Sequence, residues 1–163
     1  MLDAARARTL AAVVSRLIPT DDLGPGADEA GVADFIAREL RGPLRALAPV
    51  YDEGLDAIDV RARERFGRDF AALAAADRDA ALRETETLDR PFFDVVLNHC
   101  IDGFLSDPIH GGNRDLVGWR LVGYAGVNLT PDPAEQEIDH VVPFHGTTVS
   151  AFKQFDAAPP EDV

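Results

Sequence analysis

The sequence predicts an all-α fold, an irregular multi-helix bundle with a central apolar helix at about residues 91–105, on three observations. Apolar residues recur at three- and four-residue spacing through most of the first 105 positions. Prolines and glycines punctuate the ends of those stretches. The longest stripe, Phe93, Val96, Leu97, Cys100, Ile101, Phe104 and Leu105, is unbroken and is broadened by Phe92 and Val95, beyond what a surface helix needs. With 163 residues, 46% of them hydrophobic, the chain fits one domain with one core. Residues 1–126 form its helical body, and 127–163 a C-terminal extension or arm of the same domain.

The elements follow in order. Leu10, Val13, Val14, Leu17 and Ile18 mark one face of a first helix that Pro19 ends. Thr20 to Glu29 reads as a loop built on Asp21-Asp22 and Gly24-Pro25-Gly26, and Val32, Phe35, Ile36 and Leu40 predict a short second helix up to Gly42. Leu44, Leu47, Tyr51, Leu55 and Ile58 continue the spacing in a third helix to about Phe66, which Pro49 either starts or kinks. Asp77 is placed to cap a weakly amphipathic helix through Leu88. Asp89 caps the central helix, with Pro91 in its first turn, and Ser106-Asp107-Pro108 stops it. Residues 107–126 form a glycine-rich loop whose shape, not regular repetition, is specified. Five prolines interrupt the arm, where only Thr147 to Phe155 reads as locally ordered.

Charge narrows the function. A net charge of -13 repels phosphate backbones and anionic lipid headgroups, so neither nucleic acid nor a membrane surface is an expected partner. No stretch approaches the ~20 apolar residues of a membrane-spanning helix. Cys100 is the one cysteine, which excludes an internal disulfide and suits a buried filler. Arg6 and Arg8 are separated by Ala7 and the apolar stretch behind them is short, so no export leader is recognisable. The expected location is cytoplasmic, or periplasmic where a partner carries the export signal.

Signatures of chemistry are sparse. Gly24-Pro25-Gly26-Ala27-Asp28-Glu29 begins like a dinucleotide-binding turn, but Glu29 stands at the third glycine position and a helix precedes it. Asp139, His140 and His145 are the one local cluster of potential metal ligands, at a spacing that does not put two on one helical face. His99 reads as packed or solvated. Acid-base pairs such as Asp102 with Asp107 can be drawn, but 29 acidic residues make such pairings by chance. No catalytic, metal-binding or cofactor-binding set is nominated. Most informative is Asp107-Pro108-Ile109-His110-Gly111-Gly112-Asn113, followed by Gly118-Trp119 and Gly123-Tyr124-Ala125-Gly126. A loop with this backbone entropy and a lone tryptophan behind it fits a shaped surface for a partner.

In these segments the chain resembles the gluconate 2-dehydrogenase subunit 3 family, small subunits of flavin-dependent sugar dehydrogenases. The resemblance rests on Leu17-Ile18-Pro19, the turn from Gly26 to Val32, Phe66-Gly67 with Phe70, Phe92-Phe93, Gly103-Phe104 and Asp107-Pro108. It continues through Gly111-Gly112-Asn113, Gly118-Trp119 and Gly123-Tyr124-x-Gly126. His110 stands where the family often has tyrosine, and Ala125 where it has proline.

The resemblance implies a non-catalytic small subunit that stabilises and helps mature a larger flavoprotein of the glucose-methanol-choline oxidoreductase type. FAD is then expected in that partner and no cofactor in this chain; some such complexes add a cytochrome subunit. The partner interface is placed on Asp107, Pro108, His110, Gly111, Gly112, Asn113, Trp119 and Tyr124, with His110 bordering the partner's substrate channel in the sharpest version. The alternatives are a stand-alone helical acid-base enzyme using the His110 loop and a regulatory scaffold protein.

Overall fold

A computed structural model of the chain describes residues 2–137 and 139–152. Its described residues form seven α-helices and several short 3-10 turns. Helix α1, Ala4–Leu17, begins at Asp3, whose carboxylate accepts from the backbone N–H groups of Ala5 and Arg6 at 2.9 Å. Two of the unpaired donors of a helix start are thereby satisfied. The expected loop to Glu29 is shorter than the sequence indicated, because a single turn, α2 (Ala27–Ala30), starts inside it. Glu29 folds back on its own helix start, accepting from the Gly26 N–H at 3.0 Å and from the Thr20 hydroxyl. That one-sided cap, the glutamate half of a capping box, accounts for a glutamate at the position where a dinucleotide-binding turn has glycine. Gly31, at φ 71°, turns the chain into α3, Val32–Glu39, which ends three residues before Gly42.

Helix α4 spans Ala48–Phe66, with Pro49 in its first turn, so this proline starts a helix and does not kink one. Helix α5, Ala75–Leu88, corrects the expected cap: Ala74 is the residue before the helix, and Asp77 lies within the first turn. There its charge suits the positive end of the helix dipole. Helix α6, Arg90–Leu105, starts as the sequence indicates, with Asp89 accepting from the Phe92 N–H at 3.3 Å. The glycine-rich loop contains a short helix that the sequence did not disclose, α7, Val117–Val122. Of the arm's expected ordered stretch, Val149–Ala151 form one 3-10 turn, and residues 153–155 lie outside the described residues.

Helix α6 touches all six other helices. Its buried row is Phe92, Val96, Cys100, Gly103 and Phe104. The predicted stripe is therefore rotated: Phe93 and Leu97 are half-buried, while Ile101 and Leu105 are exposed. Both rows have four-residue spacing, and the partner helix selects between them. On α4, Gly54 leaves room for the Phe92 ring, which meets Tyr51 edge-on at 6.1 Å. The Cys100 thiol, buried in this row, is pushed up to about 12 by desolvation.

One polar bracket joins the elements. Buried Asp59 on α4 accepts from the Thr9 hydroxyl of α1 at 2.8 Å and from the Phe70 N–H at 2.9 Å. Its carboxylate oxygens thus each have a donor, as burial requires.

Candidate functional site

The glycine-rich segment solves a structural problem first. A helix leaves its last four carbonyls without intrahelical partners, and at the end of α6 the glycine-rich segment packs over them. The Asn113 N–H donates to the Gly103 carbonyl at 2.8 Å, the Asn113 side-chain amide to the Ser106 carbonyl at 3.0 Å, and the Trp119 indole to the Leu105 carbonyl at 2.7 Å. The Asn113 side-chain oxygen in turn accepts from the Gly118 N–H at 2.9 Å. Close approach requires the glycines: a side chain at Gly112 would strike the Gly103 carbonyl, and one at Gly118 the Phe104 carbonyl.

This places the nominated interface residues in two groups. Gly112, Asn113 and Trp119 are buried within the chain, with Asn113 fully enclosed and Trp119 5% exposed. They hold α7 against α6, and of their side chains only an edge of Trp119 reaches the surface. His110 and Tyr124 are exposed, and Asp107, Pro108 and Gly111 are half-buried. The Asp107 carboxylate accepts from the Ile109 N–H at 3.0 Å and from the Val149 N–H at 2.7 Å, tethering the returning arm. With both oxygens occupied it is a poor partner for Asp102 in acid-base work. Among the described residues no side chain hydrogen-bonds to the His110 ring, so nothing orients it as a base.

The remaining histidines have structural partners or sit in the arm. His99 Nδ1 shares a hydrogen bond with the Tyr51 hydroxyl at 2.9 Å, and partial burial holds its imidazole below the ordinary value. His145 Nδ1 bonds the Thr147 hydroxyl at 2.7 Å. Among the described residues no three histidine, cysteine or carboxylate side chains converge as a metal site would require. The arm itself folds back, with the Ala125 carbonyl accepting from His145 and Gly146 and the Val127 N–H donating to the Thr147 carbonyl at 2.8 Å. The Arg120 guanidinium lies over the Phe144 ring, 4.2 Å from its centre.

Part of the exposed apolar surface gathers around the end of α6. Leu105, Trp119, Val122 and Tyr124 line a hollow of about 420 Å³, in which the Tyr124 ring stands edge-on to Trp119 at 4.8 Å. Leu105 also lines a second, more polar hollow of about 490 Å³, with Phe35, Ile101, Glu39, Asp102, Ser106 and His110. Ile101 is 42% exposed, Val122 58% and Tyr124 43%. The outward row of α6 thus runs between these two hollows, and the buried clamp fixes α7 and Tyr124 at its end. The sequence pointed to the loop and Tyr124; the structure adds Ile101, Leu105 and Val122 to the exposed surface beside them. The doubled four-residue rows of α6 were the available signal.

Among the described residues no helix is long and apolar enough to cross a membrane. No curated protein and no solved structure matches the chain. The profile of the family described as Gluconate 2-dehydrogenase subunit 3 matches residues 4–126, from the first residue of α1 through the clamp and the Tyr124 segment. That span covers the whole helical body and the exposed apolar strip, and the chain belongs to the gluconate 2-dehydrogenase subunit 3 family.

Proposed function

We propose that this chain is the accessory small subunit of a flavin-dependent sugar or sugar-acid dehydrogenase, docking through the strip from Ile101 and Leu105 to Val122 and Tyr124. The partner is a larger subunit of the glucose-methanol-choline oxidoreductase type, which carries FAD and the oxidation chemistry. This chain supports that subunit's folding and maturation, and in some assemblies a cytochrome subunit joins them. The observation that carries the reading is the apolar strip, positioned by the hydrogen bonds of Asn113 and Trp119 and left exposed among the described residues. Apolar surface of this kind is the material of permanent interfaces, which bury on the order of 2,000 Å² or more.

The test is co-expression with a candidate flavoprotein subunit of the glucose-methanol-choline type. The wild-type chain is expected to co-purify with a yellow partner, and Leu105→Asp, which places a charge at the junction of the two hollows, to lower the yield of complex by at least ~10-fold. Circular dichroism of the variant alone should match wild type, because Leu105 is exposed. A complex that forms equally well with Leu105→Asp removes the strip as the docking face.

A further inference from the structure

A second surface lies directly beside this strip and has the opposite character to the rest of the molecule. Although the chain carries a net charge of -13, a cleft of about 530 Å³ is lined by Arg38, Arg41 and Arg114, with Asp34 the one carboxylate in its described wall. The Pro108–Gly111 turn separates it from the hollow that His110 lines. Helix α3 contributes to both, giving Phe35 and Glu39 to one and Asp34 and Arg38 to the other.

The three arginines arrive there by different routes. Arg38 and Arg41 sit at the end of α3, where positive charge suits the helix dipole, and that alone would explain their presence. Arg114 has no such reason. It comes from a turn in which Asn113, Asp115 and Leu116 all hold left-handed backbone, with φ of 46°, 54° and 58°. Its guanidinium crosses to α3 and bonds Asp34 at 2.6 Å. Glycines make room for two of the side chains. Arg114 lies over Gly31 and Arg38 over Gly111, both at positive φ, and a side chain at either glycine would strike the guanidinium above it. Arg38 pairs with Glu39 at 3.1 Å. Arg41 bonds only the Ala37 carbonyl, and among the described residues no carboxylate lies within ion-pair distance of it.

We propose that this cleft is the charge-recognising rim of the docking face and takes an Asp- or Glu-bearing segment of the partner subunit. The inference rests on the docking reading above. Guanidinium forks match carboxylates in geometry, and with Arg38 paired to Glu39 and Arg114 to Asp34, the unpaired Arg41 leaves the group one positive charge in excess. A small free carboxylate would gain little there, because the side chains of Arg38 and Arg114 are 46% and 52% exposed and water screens them. A partner seated on the neighbouring apolar strip would cover the cleft, exclude that water and strengthen the same contacts.

The experiment uses the co-purified complex and measures its dissociation constant over a range of salt. Wild type is expected to weaken as salt rises. Arg41→Gln, which breaks no internal ion pair, and the double variant Arg41→Gln/Arg114→Gln are expected to bind progressively more weakly, the latter by ~10-fold, with a flatter salt dependence. Citrate at millimolar concentration, as the small-carboxylate probe, should not displace the partner. Arginine variants with wild-type affinity and salt slope, in a series where Leu105→Asp still abolishes the complex, overturn the cleft and leave the docking face standing. Displacement by citrate overturns the assignment to a partner segment. If wild type captures no flavoprotein, the docking reading falls and this inference falls with it.

Discussion

Asn113 shows how one residue can look like a surface recognition element in sequence and be the opposite in space. Its amide group donates to the Ser106 carbonyl and accepts from the Gly118 N–H, with its own backbone N–H on the Gly103 carbonyl. Asn113→Ala leaves two buried polar groups unpartnered and puts alanine at φ 46°, where asparagine is better tolerated. A loss of about 2–4 kcal/mol of unfolding free energy is expected in urea titration. A value under about 1 kcal/mol would show that the clamp contributes little beyond ordinary packing.

His99 gives a pH dependence at the same scale. Burial, opposed by the nearby Asp102 charge, holds its imidazole below the ordinary 6.5, so the unfolded chain takes up this proton first as pH falls. The corresponding stability is present in full above about 6.5 and is lost as pH falls through the lower folded value. Replacing it as His99→Gln should therefore narrow the gap to wild type in acid, read as the difference in unfolding free energy at about pH 7.5 and 5. A ring-proton NMR midpoint for His99 at or above 6.5 would contradict this account.

At the scale of elements, α6 carries two apolar rows one residue out of step. Phe92 faces Tyr51 and Gly54, whereas Phe93 begins the outward row that ends at Leu105. Phe92→Ala should destabilise the isolated chain by about 3–5 kcal/mol, while Phe93→Ala should cost about 1 kcal/mol. Thermal melts of the two variants compare them directly, and equal losses would mean that the rows are misassigned. The clamp belongs to this scale too: α7 is only six residues long and cannot be stable by its own helix propensity. Its position depends on Asn113, Gly118 and Trp119 meeting the end of α6, and through it the Tyr124 ring is set beside Leu105.

For the molecule as a whole, an apolar strip and an arginine-lined cleft lie side by side on an otherwise acidic chain. The net charge is -13, and the exposed apolar strip with its arginine cleft is a local exception to that balance. Loss of complex in Leu105→Asp and altered salt dependence in the arginine variants are predictions about this arrangement, because neither surface exists within a single helix. The cleft joins residues 80 positions apart, and the strip joins α6 to the segment beyond α7.

The periodicity of Leu10–Ile18, Val32–Leu40, Tyr51–Ile58 and Phe92–Leu105, together with Pro19, Pro49, Asp89 and Pro108, was enough to establish the helical class and most helix positions. Local spacing and caps are properties of neighbouring residues and need no tertiary partner to be read. The ordered motifs from Leu17-Ile18-Pro19 through Phe92-Phe93 to the glycines and aromatics of 103–126 were together enough to indicate the family. Only the tertiary structure decided which row of α6 faces inward, because the choice depends on the space that Gly54 leaves beneath Phe92. It also decided that Asn113 and Trp119 are interior, since the carbonyls they satisfy lie seven to fourteen residues earlier in the chain. Exposure is set by what packs across from a residue, and a contact between distant segments leaves no mark on the spacing within either one.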